Sequence, residues 1–224
     1  MKKAILTYFN YQVDSRLFRL QSKVIQKFNI FDDIDFKPVF YNAPDGEVFP
    51  DNVIDVQLNR LFYKEGYDSI LILDVDCIPL SSEAISTTFD YIEQNKLVGN
   101  AQRSHHLEND EHIFCGASCL GISKFLYNVI GNPSSSPNKR SDICEEFTWL
   151  SEERGFHVHM YTPSSYEQLP YNEDSPWQLK EGLEPYGIGT TFNDGDKPFF
   201  FHLFQSRLGV YNSIFYNKCN EILR

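Results

Sequence analysis

The stretch Ser69-Ile-Leu-Ile-Leu-Asp74-Val-Asp76-Cys-Ile-Pro79 decides the fold of this chain. Its apolar residues 70–73 indicate a strand that is covered on both faces, as in an α/β sheet. The strand ends abruptly on two aspartates, Asp74 and Asp76. Because alternate residues of an extended chain point the same way, both carboxylates should face one side at the carboxyl end of the strand. The stretch therefore predicts an α/β fold with an acidic crevice at this strand end.

Two carboxylates held in this way form a candidate site for a divalent cation. Carboxylate oxygens are ligands for Mg²⁺ and Mn²⁺, and either ion can in turn hold a diphosphate. A structural alternative stays open, because an aspartate at a strand end is also a common turn residue or helix N-cap. A short Asp-x-Asp motif alone does not decide between the two.

Length and composition predict one globular domain. The chain has 224 residues, of which 42% are hydrophobic and 23% are charged, as is usual for a domain with one substantial core. Its formal net charge of −11 argues against a nucleic-acid-binding protein, which needs clustered lysine and arginine. A small anionic ligand would need local compensation by a metal ion or by a few basic side chains.

Cysteine usage and hydropathy predict a soluble, intracellular protein of cytoplasmic type. The five cysteines are an odd number at irregular spacing, which fits neither a disulfide scaffold nor a zinc site, so we expect them to be reduced. Asn10, Gln12 and Asp14 interrupt the apolar N-terminal stretch too early for a signal peptide. No segment approaches the ~18 apolar residues of a membrane span.

Strand and helix patterns alternate along the chain, which predicts a mostly parallel mixed sheet flanked by helices. Strands are expected at residues 4–9, 37–41, 70–73, 97–101, 113–122, 156–161 and 199–204. Helices are expected at residues 14–28, around 54–61, around 85–92, at 124–130, at 142–154 and around 210–215. Ser81 or Ser82 is expected to cap the third helix, and Asp51 or Asn52 the second.

Several segments between these elements are predicted to be turns or loops. Residues 42–46 and 193–196 are expected to form tight turns. Residues 131–140 are rich in serine, proline and asparagine, and we expect a mobile surface loop or a lid over a ligand. Residues 162–197 show no clear periodicity and are predicted to be irregular. The pair His105-His106 and the nearby His112 are expected to lie in a solvated loop, because they lack the spacing of a zinc helix.

These features occur in an order that resembles the GT-A glycosyltransferases, which are metal-dependent enzymes that use nucleotide-sugar donors. The shared features are an Asp-x-Asp at the end of a central strand, a glycine-containing strand after it, an acidic helix start and a late histidine after an aromatic strand. Asp74-Val-Asp76 and His202 are the specific matches. The resemblance implies a single GT-A-like, Rossmann-related domain over residues 1–224, with a nucleotide-binding half (1–100) and an acceptor- and sugar-binding half (101–224).

The resemblance implies a metal site formed by Asp74, Asp76 and His202 with Mn²⁺ or Mg²⁺. Asp76 would be the more direct ligand, and Asp74 would face the ribose or a metal-bound water. An imidazole ligand favours manganese slightly over magnesium. The chemistry is consistent, because breaking a bond between a sugar and a diphosphate leaves negative charge that a divalent cation neutralises.

The first strand end is expected to receive the nucleotide, as in other α/β folds. The candidate donor-binding residues are Thr7, Tyr8, Phe9, Asn10, Arg16, Asp74 and Arg207. Tyr8 is a candidate for stacking on the base, and Arg207 for binding the diphosphate. Tyr8 and Phe9 are equally compatible with plain core packing.

Acceptor and base candidates come from the second half of the chain. The candidates for the sugar or acceptor pocket are Phe114, Gly116, Ala117 and Trp177, because aromatic faces pack on sugar rings and glycine permits close approach. An inverting enzyme would need a general base, and the candidates are Asp142, Glu145 and Glu146. Asp142 and Glu145 also have the spacing of a capping box, which is a structural use. A retaining enzyme would need no such base.

Together with this resemblance, the sequence predicts a glycosyltransferase that moves a sugar from a nucleotide diphosphate to a glycan or another hydroxyl acceptor. UDP as the nucleotide is implied by the resemblance alone. A haloacid dehalogenase-type phosphatase also has an Asp-x-Asp at a strand end, but that family usually has its motif near the N-terminus and needs a later lysine. A nucleotidyltransferase is a second alternative, although a glycine-rich basic loop after the first strand is not evident. A catalytically silent nucleotide-sugar-binding protein is the third.

Overall fold

The computed structural model describes residues 1–42, 53–107 and 111–224, which form a mixed α/β fold. Its strands are β1 Lys3–Asn10, β2 Ile34–Tyr41, β3 Ser69–Asp74, β4 Cys77–Pro79, β5 Leu97–Arg103, β6 Ile113–Ser123, β7 Val158–Ser165, β8 Thr190–Asp194 and β9 Lys197–His202. Its α-helices are α1 Ser15–Phe28, α2 Val53–Asn59, α3 Ser82–Glu93, α4 Lys124–Val129, α5 Glu145–Glu153 and α6 Asn212–Leu223. A π-helical turn, Arg60–Lys64, follows α2, and a 3-10 turn, Ser206–Leu208, follows β9.

The strands form one mixed sheet in the order β2-β1-β3-β6-β5-β7-β8-β9-β4. The β1 strand is parallel to β2 and β3, and β5 is parallel to β7. The other pairings between described strands are antiparallel. The predicted α/β class, with a mixed central sheet flanked by helices, is therefore confirmed. Parallel pairing is confined to these two blocks, so the prediction that the sheet is mostly parallel is wrong. The β6 strand and the β8–β9 hairpin run against their neighbours.

Helices cover both faces of the sheet. One core cluster joins α1, α3 and α6 to the sheet, through side chains such as Leu17, Phe89 and Phe215. The second core cluster joins α2, α4 and α5 to the opposite face, through Leu58, Leu126 and others. Burial on both faces explains why residues 70–73 are continuously apolar.

The helix starts follow local chemistry. The Asp14 side chain accepts a hydrogen bond from the Arg16 amide at the start of α1, and the Ser81 hydroxyl accepts one from Ala84 N at 3.0 Å at the start of α3. The N-cap role predicted for Ser81 is thus confirmed. Helix α5 begins at Glu145, later than predicted, because Cys144 lies in the left-handed region at φ 64° and cannot continue a helix backwards.

The segment 162–197 contains more regular structure than its sequence predicts. The β7 strand continues to Ser165, and β8 forms a hairpin with β9. The hairpin turns at Gly195, which has φ 59°, so the tight turn predicted at 193–196 is confirmed. The last strand ends at His202 instead of residue 204, because Phe204 and Gln205 both adopt left-handed conformations. Short strands such as β8 leave too few residues for an alternating pattern to be recognised.

Two predictions concern a part of the chain that is not described. The cap at Asp51 or Asn52 lies outside the described residues, and so does the predicted turn at 42–46 except for Asn42.

Helices α1 to α6 offer no span, within the described ranges, that is both long and apolar enough to cross a membrane. All five cysteines are buried free thiols.

The loop at residues 131–140 packs against its neighbours. Asp55 of α2 accepts hydrogen bonds from the Ser134 hydroxyl at 2.8 Å and from the Ser135 amide at 2.7 Å. Near the end of the loop, the Arg140 guanidinium binds Glu146 and Glu153 of α5. These polar contacts replace the apolar burial that the loop lacks. Ordering of the loop by a ligand stays a prediction.

Candidate metal centre and active site

Three metal-ligating side chains converge where β3, β4 and β9 meet. Asp74 ends β3, Asp76 lies in the two-residue link to β4, and His202 ends β9. One potential ligand atom from each lies within 4.8 Å of the others. The convergence follows from strand pairing, because Cys77 of β4 pairs with His202 and the Leu203 amide donates to the Asp76 carbonyl at 3.0 Å.

The electrostatics of this triad favour an added positive charge. Burial and the nearby charge of Asp76 raise the pKa of Asp74 to about 6. Burial also acts to raise the pKa of Asp76, but the charge and hydrogen bond of His202 outweigh it and hold that pKa below its usual value. Two buried carboxylates at short range repel each other, and a cation between them removes the repulsion.

The residues present fit a divalent metal ion. Two carboxylates and one imidazole form an oxygen-rich donor set that Mn²⁺ accepts readily and Mg²⁺ accepts through its oxygens. The Nε2 atom of His202 lies 3.2 Å from Asp76 Oδ1, so this nitrogen faces the carboxylates. The imidazole ring packs on Phe204, with 3.9 Å between ring centroids. The triad is therefore held in place by packing as well as by pairing.

Tyr8 orients the first aspartate. Tyr8 and Asp74 are partners in the parallel β1–β3 pairing, and the Tyr8 hydroxyl donates a hydrogen bond to the Asp74 carboxylate. Burial and the Asp74 charge raise the pKa of Tyr8 well above its usual value, so the phenol stays protonated and remains a donor. Tyr41 lies beside it on β2, with 6.4 Å between ring centroids.

A cavity of about 610 Å³ opens beside the triad, which is within the usual size range for small-molecule sites. Of the residues predicted from sequence, it is lined by Tyr8, Asn10, Asp74, Asp76, Ala117, Asp142, Trp177, His202 and Arg207. Their convergence follows from the topology: β1 and β3 are parallel, so their carboxyl ends meet at the same edge of the sheet.

Three residues predicted to bind the donor do not line this cavity and have structural partners. The Thr7 hydroxyl donates to Gln21 Oε1 at 2.9 Å in the core. Phe9 packs on neighbouring aromatic rings. The Arg16 guanidinium lies 4.2 Å from the centroid of the Tyr216 ring.

Two of the four pocket candidates are placed behind the cavity wall. Phe114 is buried in the sheet, and Gly116 lies against Gln102, which lines the cavity. A Cβ atom on Gly116 would stand 2.2 Å from Gln102 Oε1, so glycine at this position leaves the room that Gln102 occupies. Ala117 and Trp177 line the cavity directly.

An aromatic wall stands beside the metal triad. The rings of Trp177, Tyr186 and Phe204 lie 5.4 to 5.7 Å apart between centroids, and all three line the cavity. Trp177 and Tyr186 also exchange backbone hydrogen bonds of 2.9 and 3.0 Å. Trp177 and Tyr186 come from the segment predicted to be irregular, where they form an isolated bridge, and Phe204 follows the last strand.

The three base candidates occupy different environments. Asp142 lines the cavity, and its carboxylate accepts a hydrogen bond from the Ile143 amide at 2.8 Å. Glu145 is buried, and it accepts from the Asp142 amide at 2.7 Å while contacting His112 Nδ1 at 2.8 Å. Glu146 binds Arg140, and this contact is the main cause that lowers its pKa to about 2. Of these candidates, only Asp142 faces the cavity.

Sequence reasoning missed the end of β5 and the loop after it as part of the site. The cavity is also lined by Gln102, Arg103, Ser104, His105 and His106. His105 and His106 are exposed in a loop, as predicted, but that loop borders the cavity. A signal was available. The β5 strand is antiparallel to β6, which is antiparallel to β3, so β5 ends at the same edge as the aspartates. Placing β6 as an antiparallel strand in the sheet would have revealed this.

His112 has a structural environment outside the cavity. Its imidazole bridges Glu145 at 2.8 Å and Glu152 at 3.0 Å, and it stacks on Trp149 with 3.7 Å between centroids. Its two ring nitrogens are therefore both engaged.

Comparison with known proteins gives structural similarity only. No known family profile matches the sequence, and no curated protein matches it. Among solved structures, a mutant of Drosophila beta-1,4-galactosyltransferase 7 in complex with manganese, UDP-Gal and xylobiose is similar over 78% of this chain and 67% of that chain, at 17% identity and a TM-score of 0.49. A glycosyltransferase involved in glycosylation of the major capsid of PBCV-1 is similar over 72% of this chain and 84% of that chain, at 11% identity and a TM-score of 0.42. The 4-diphosphocytidyl-2C-methyl-D-erythritol synthase of Anaerococcus prevotii DSM 20548 is similar over 71% of this chain and 88% of that chain, at 14% identity and a TM-score of 0.44.

Proposed function

We propose that this protein is a metal-dependent glycosyltransferase that uses a nucleotide diphosphate-sugar donor with Mn²⁺ or Mg²⁺. The proposal rests on one observation: Asp74, Asp76 and His202 converge at the edge where the parallel strands end, and they face a cavity of about 610 Å³. A divalent cation held there would neutralise the charge that develops on a leaving diphosphate.

The donor nucleotide occupies the part of the cavity nearest to β1 and β2. Asn10 and Tyr41 line that part and offer an amide and an aromatic ring to a base and ribose. Tyr8 keeps the Asp74 carboxylate pointed at the site through its hydroxyl. Arg207 lines the cavity on the His202 side, where a guanidinium is suited to bind phosphate oxygens. We propose UDP as the nucleotide.

The acceptor occupies the side lined by the aromatic wall and the end of β5. Trp177 and Tyr186 present aromatic faces of the kind that pack on sugar rings, and Ser104 and His105 add polar groups beside them. This mixture of aromatic and hydrogen-bonding groups is suited to a glycan hydroxyl. In an inverting reaction, Asp142 would accept the proton of the attacking hydroxyl, because it is the base candidate that faces the cavity.

The cavity does not favour the phosphatase alternative. Its described lining contains no lysine, whereas a haloacid dehalogenase-type site needs one. Asp74 also shares its carboxylate with the Tyr8 hydroxyl, which occupies an oxygen that a nucleophile would use.

Binding and turnover test the proposal together. The purified chain is titrated with UDP and with a panel of UDP-, GDP- and CDP-sugars, with Mn²⁺, with Mg²⁺ and with a chelator. We expect metal-dependent binding of one nucleotide class, and release of its nucleoside diphosphate when a glycan acceptor is added. Binding without turnover across a broad acceptor panel would indicate a silent binding protein. Release of pyrophosphate from a nucleoside triphosphate would indicate a nucleotidyltransferase. Absence of binding to every nucleotide would refute the proposal.

A further inference from the structure

Gln21 is a buried polar side chain on the apolar face of α1. It lies one turn after Leu17 and is itself fully buried. A carboxamide at such a position needs hydrogen-bond partners for its oxygen and for its two N–H groups. Its N–H groups find their partners at the end of β3 and the start of β4, on the backbone that carries the two aspartates.

The carboxamide spans the link between β3 and β4. Gln21 Nε2 donates to the Asp74 carbonyl at 2.5 Å and to the Cys77 carbonyl at 2.9 Å. These two carbonyls flank Val75 and Asp76, so one side chain grips both ends of the link. The Gln21 oxygen accepts from the Thr7 hydroxyl at 2.9 Å, which fixes the direction of the amide.

Apart from the Leu203 amide, which donates to the Asp76 carbonyl, the same link has few other supports. Pairing of β3 with β6 ends at Leu73, and pairing of β3 with β1 ends at Asp74. On the far side, β4 is only three residues long and pairs with β9 alone among the described strands. The link between them holds Asp76, whose carboxylate must stay beside His202. A buried donor pair that binds both flanking carbonyls therefore supplies support where sheet pairing stops.

We infer that Gln21 is a positioning residue of the metal centre, and that Thr7 sets its orientation. This inference rests on the proposed function, in which Asp74, Asp76 and His202 hold a divalent cation. Gln21 does not contact that cation. It acts by fixing the backbone from Asp74 to Cys77, so that both carboxylates are presented before the ion arrives. Groups behind the ligands of a metal commonly change metal affinity about ten- to hundredfold when removed.

The test uses Gln21→Met, which keeps the length of the side chain and removes both donors. Mn²⁺ alone is the probe. Its binding is measured by electron paramagnetic resonance, as the loss of the signal of the free ion. Hydrogen exchange of the segment 74–80 is measured separately, in a chelator. Thr88→Val is the matched control, because the Thr88 hydroxyl is equally buried and bonds the Ala84 carbonyl and the Tyr161 hydroxyl away from the site.

We expect Gln21→Met to weaken Mn²⁺ binding by about tenfold or more and to speed exchange in the segment 74–80. Thr88→Val should change neither. Thr7→Val should shift both measurements in the direction of Gln21→Met by a smaller amount, and it serves as the second variant if Gln21→Met does not fold.

The outcomes separate the two hypotheses. If the wild type binds Mn²⁺ and Gln21→Met binds it equally well, the positioning role is refuted and the proposed function stands. If the wild type binds no Mn²⁺, the proposed function loses its metal, and exchange of the segment 74–80 alone decides whether Gln21 holds the link. Exchange that is equal in Gln21→Met and Thr88→Val would refute that as well.

Discussion

Asp76 Oδ1 lies 3.2 Å from His202 Nε2, although the two residues are far apart in the sequence. The pair is buried, and His202 lowers the pKa of Asp76 against the effect of burial. The two side chains are thus ready to share one ion, and they stabilise each other when the ion is absent. Each ligand should therefore contribute differently to metal binding and to stability.

Replacing Asp76 should abolish metal-dependent nucleotide binding. We expect Asp76→Asn to weaken Mn²⁺ binding by roughly a hundredfold or more, because a ligand matters at least as much as the groups behind it. Calorimetry with Mn²⁺ and UDP measures the effect. Asp196→Asn is the control, since Asp196 is exposed in the β8–β9 turn and carries the same charge change. Equal affinity in the two variants would remove Asp76 from the metal site.

The histidine ligand should affect the choice of metal more than the total affinity. We expect His202→Gln to reduce Mn²⁺ binding less than Asp76→Asn does, because a neutral ligand contributes less charge to a hard cation. The loss should be greater for Mn²⁺ than for Mg²⁺, which prefers oxygen ligands. Parallel titrations with the two ions give the ratio. An unchanged ratio would argue that the imidazole does not coordinate the ion.

Substitutions of the three acidic residues around the start of α5 should have different effects on turnover and on stability. We expect Asp142→Asn to lower turnover by about 10²- to 10⁴-fold while donor binding is retained. Glu145→Gln should mainly lower the free energy of unfolding, by about 1–3 kcal/mol, because it weakens buried hydrogen bonds. Glu146→Gln should leave turnover nearly unchanged. Full turnover in Asp142→Asn would exclude it as the base.

His112 should make stability depend on pH above pH 6.5. Burial lowers the pKa of His112, but its hydrogen bonds to Glu145 and Glu152 outweigh burial and raise it above the usual 6.5. The stabilisation is therefore complete below pH 6.5 and is lost as pH rises through the folded-state pKa. Urea unfolding of the wild type and of His112→Gln between pH 6 and 9 measures this. We expect the two stabilities to converge with rising pH, and a constant difference would contradict the assignment.

Arg140 should control access to the loop at residues 131–140. Its contacts with Glu146 and Glu153 fasten the end of the loop to α5. We expect Arg140→Gln to speed cleavage after the exposed Lys139 by a lysine-specific protease, and Mn²⁺ with donor to slow cleavage in the wild type. Arg19→Gln, on the exposed side of α1, is the control. Cleavage that ignores both the variant and the ligand would show that the loop is not a lid.

Much of the site was predictable because it lies at strand ends. The apolar run before Asp74 marks a buried strand, and the alternation of side chains places Asp76 with it. The aromatic strand before His202 was recognisable for the same reason. The sequence pattern of a strand does not show which other strand it pairs with in the sheet. The contact between Asp76 and His202 depends on β4, a strand of three residues that is too short to leave a pattern.

The misplaced residues show the limits in physical terms. Thr7 and Phe9 lie beside Tyr8 on β1, but they point into the core instead of the cavity. A polar residue on the apolar face of α1 was the available signal for Gln21. Glu145 was a base candidate because of its position at the start of α5. Its partner His112 lies directly before β6, far from Glu145 in the sequence. Partners of this kind are set by tertiary packing, which no local spacing records.

The two-residue link between β3 and β4 has a consequence for the order in which the protein is made. In the sheet, β3 is third and β4 is last, yet the chain from Asp74 to Cys77 can span at most about 11 Å. The sheet must therefore curve back so that β9, emerging late from the ribosome, lies beside a segment synthesised much earlier. Until His202 has left the ribosome, the nascent chain contains both aspartates of the triad but lacks its histidine. The complete triad thus first becomes available when translation has passed β9.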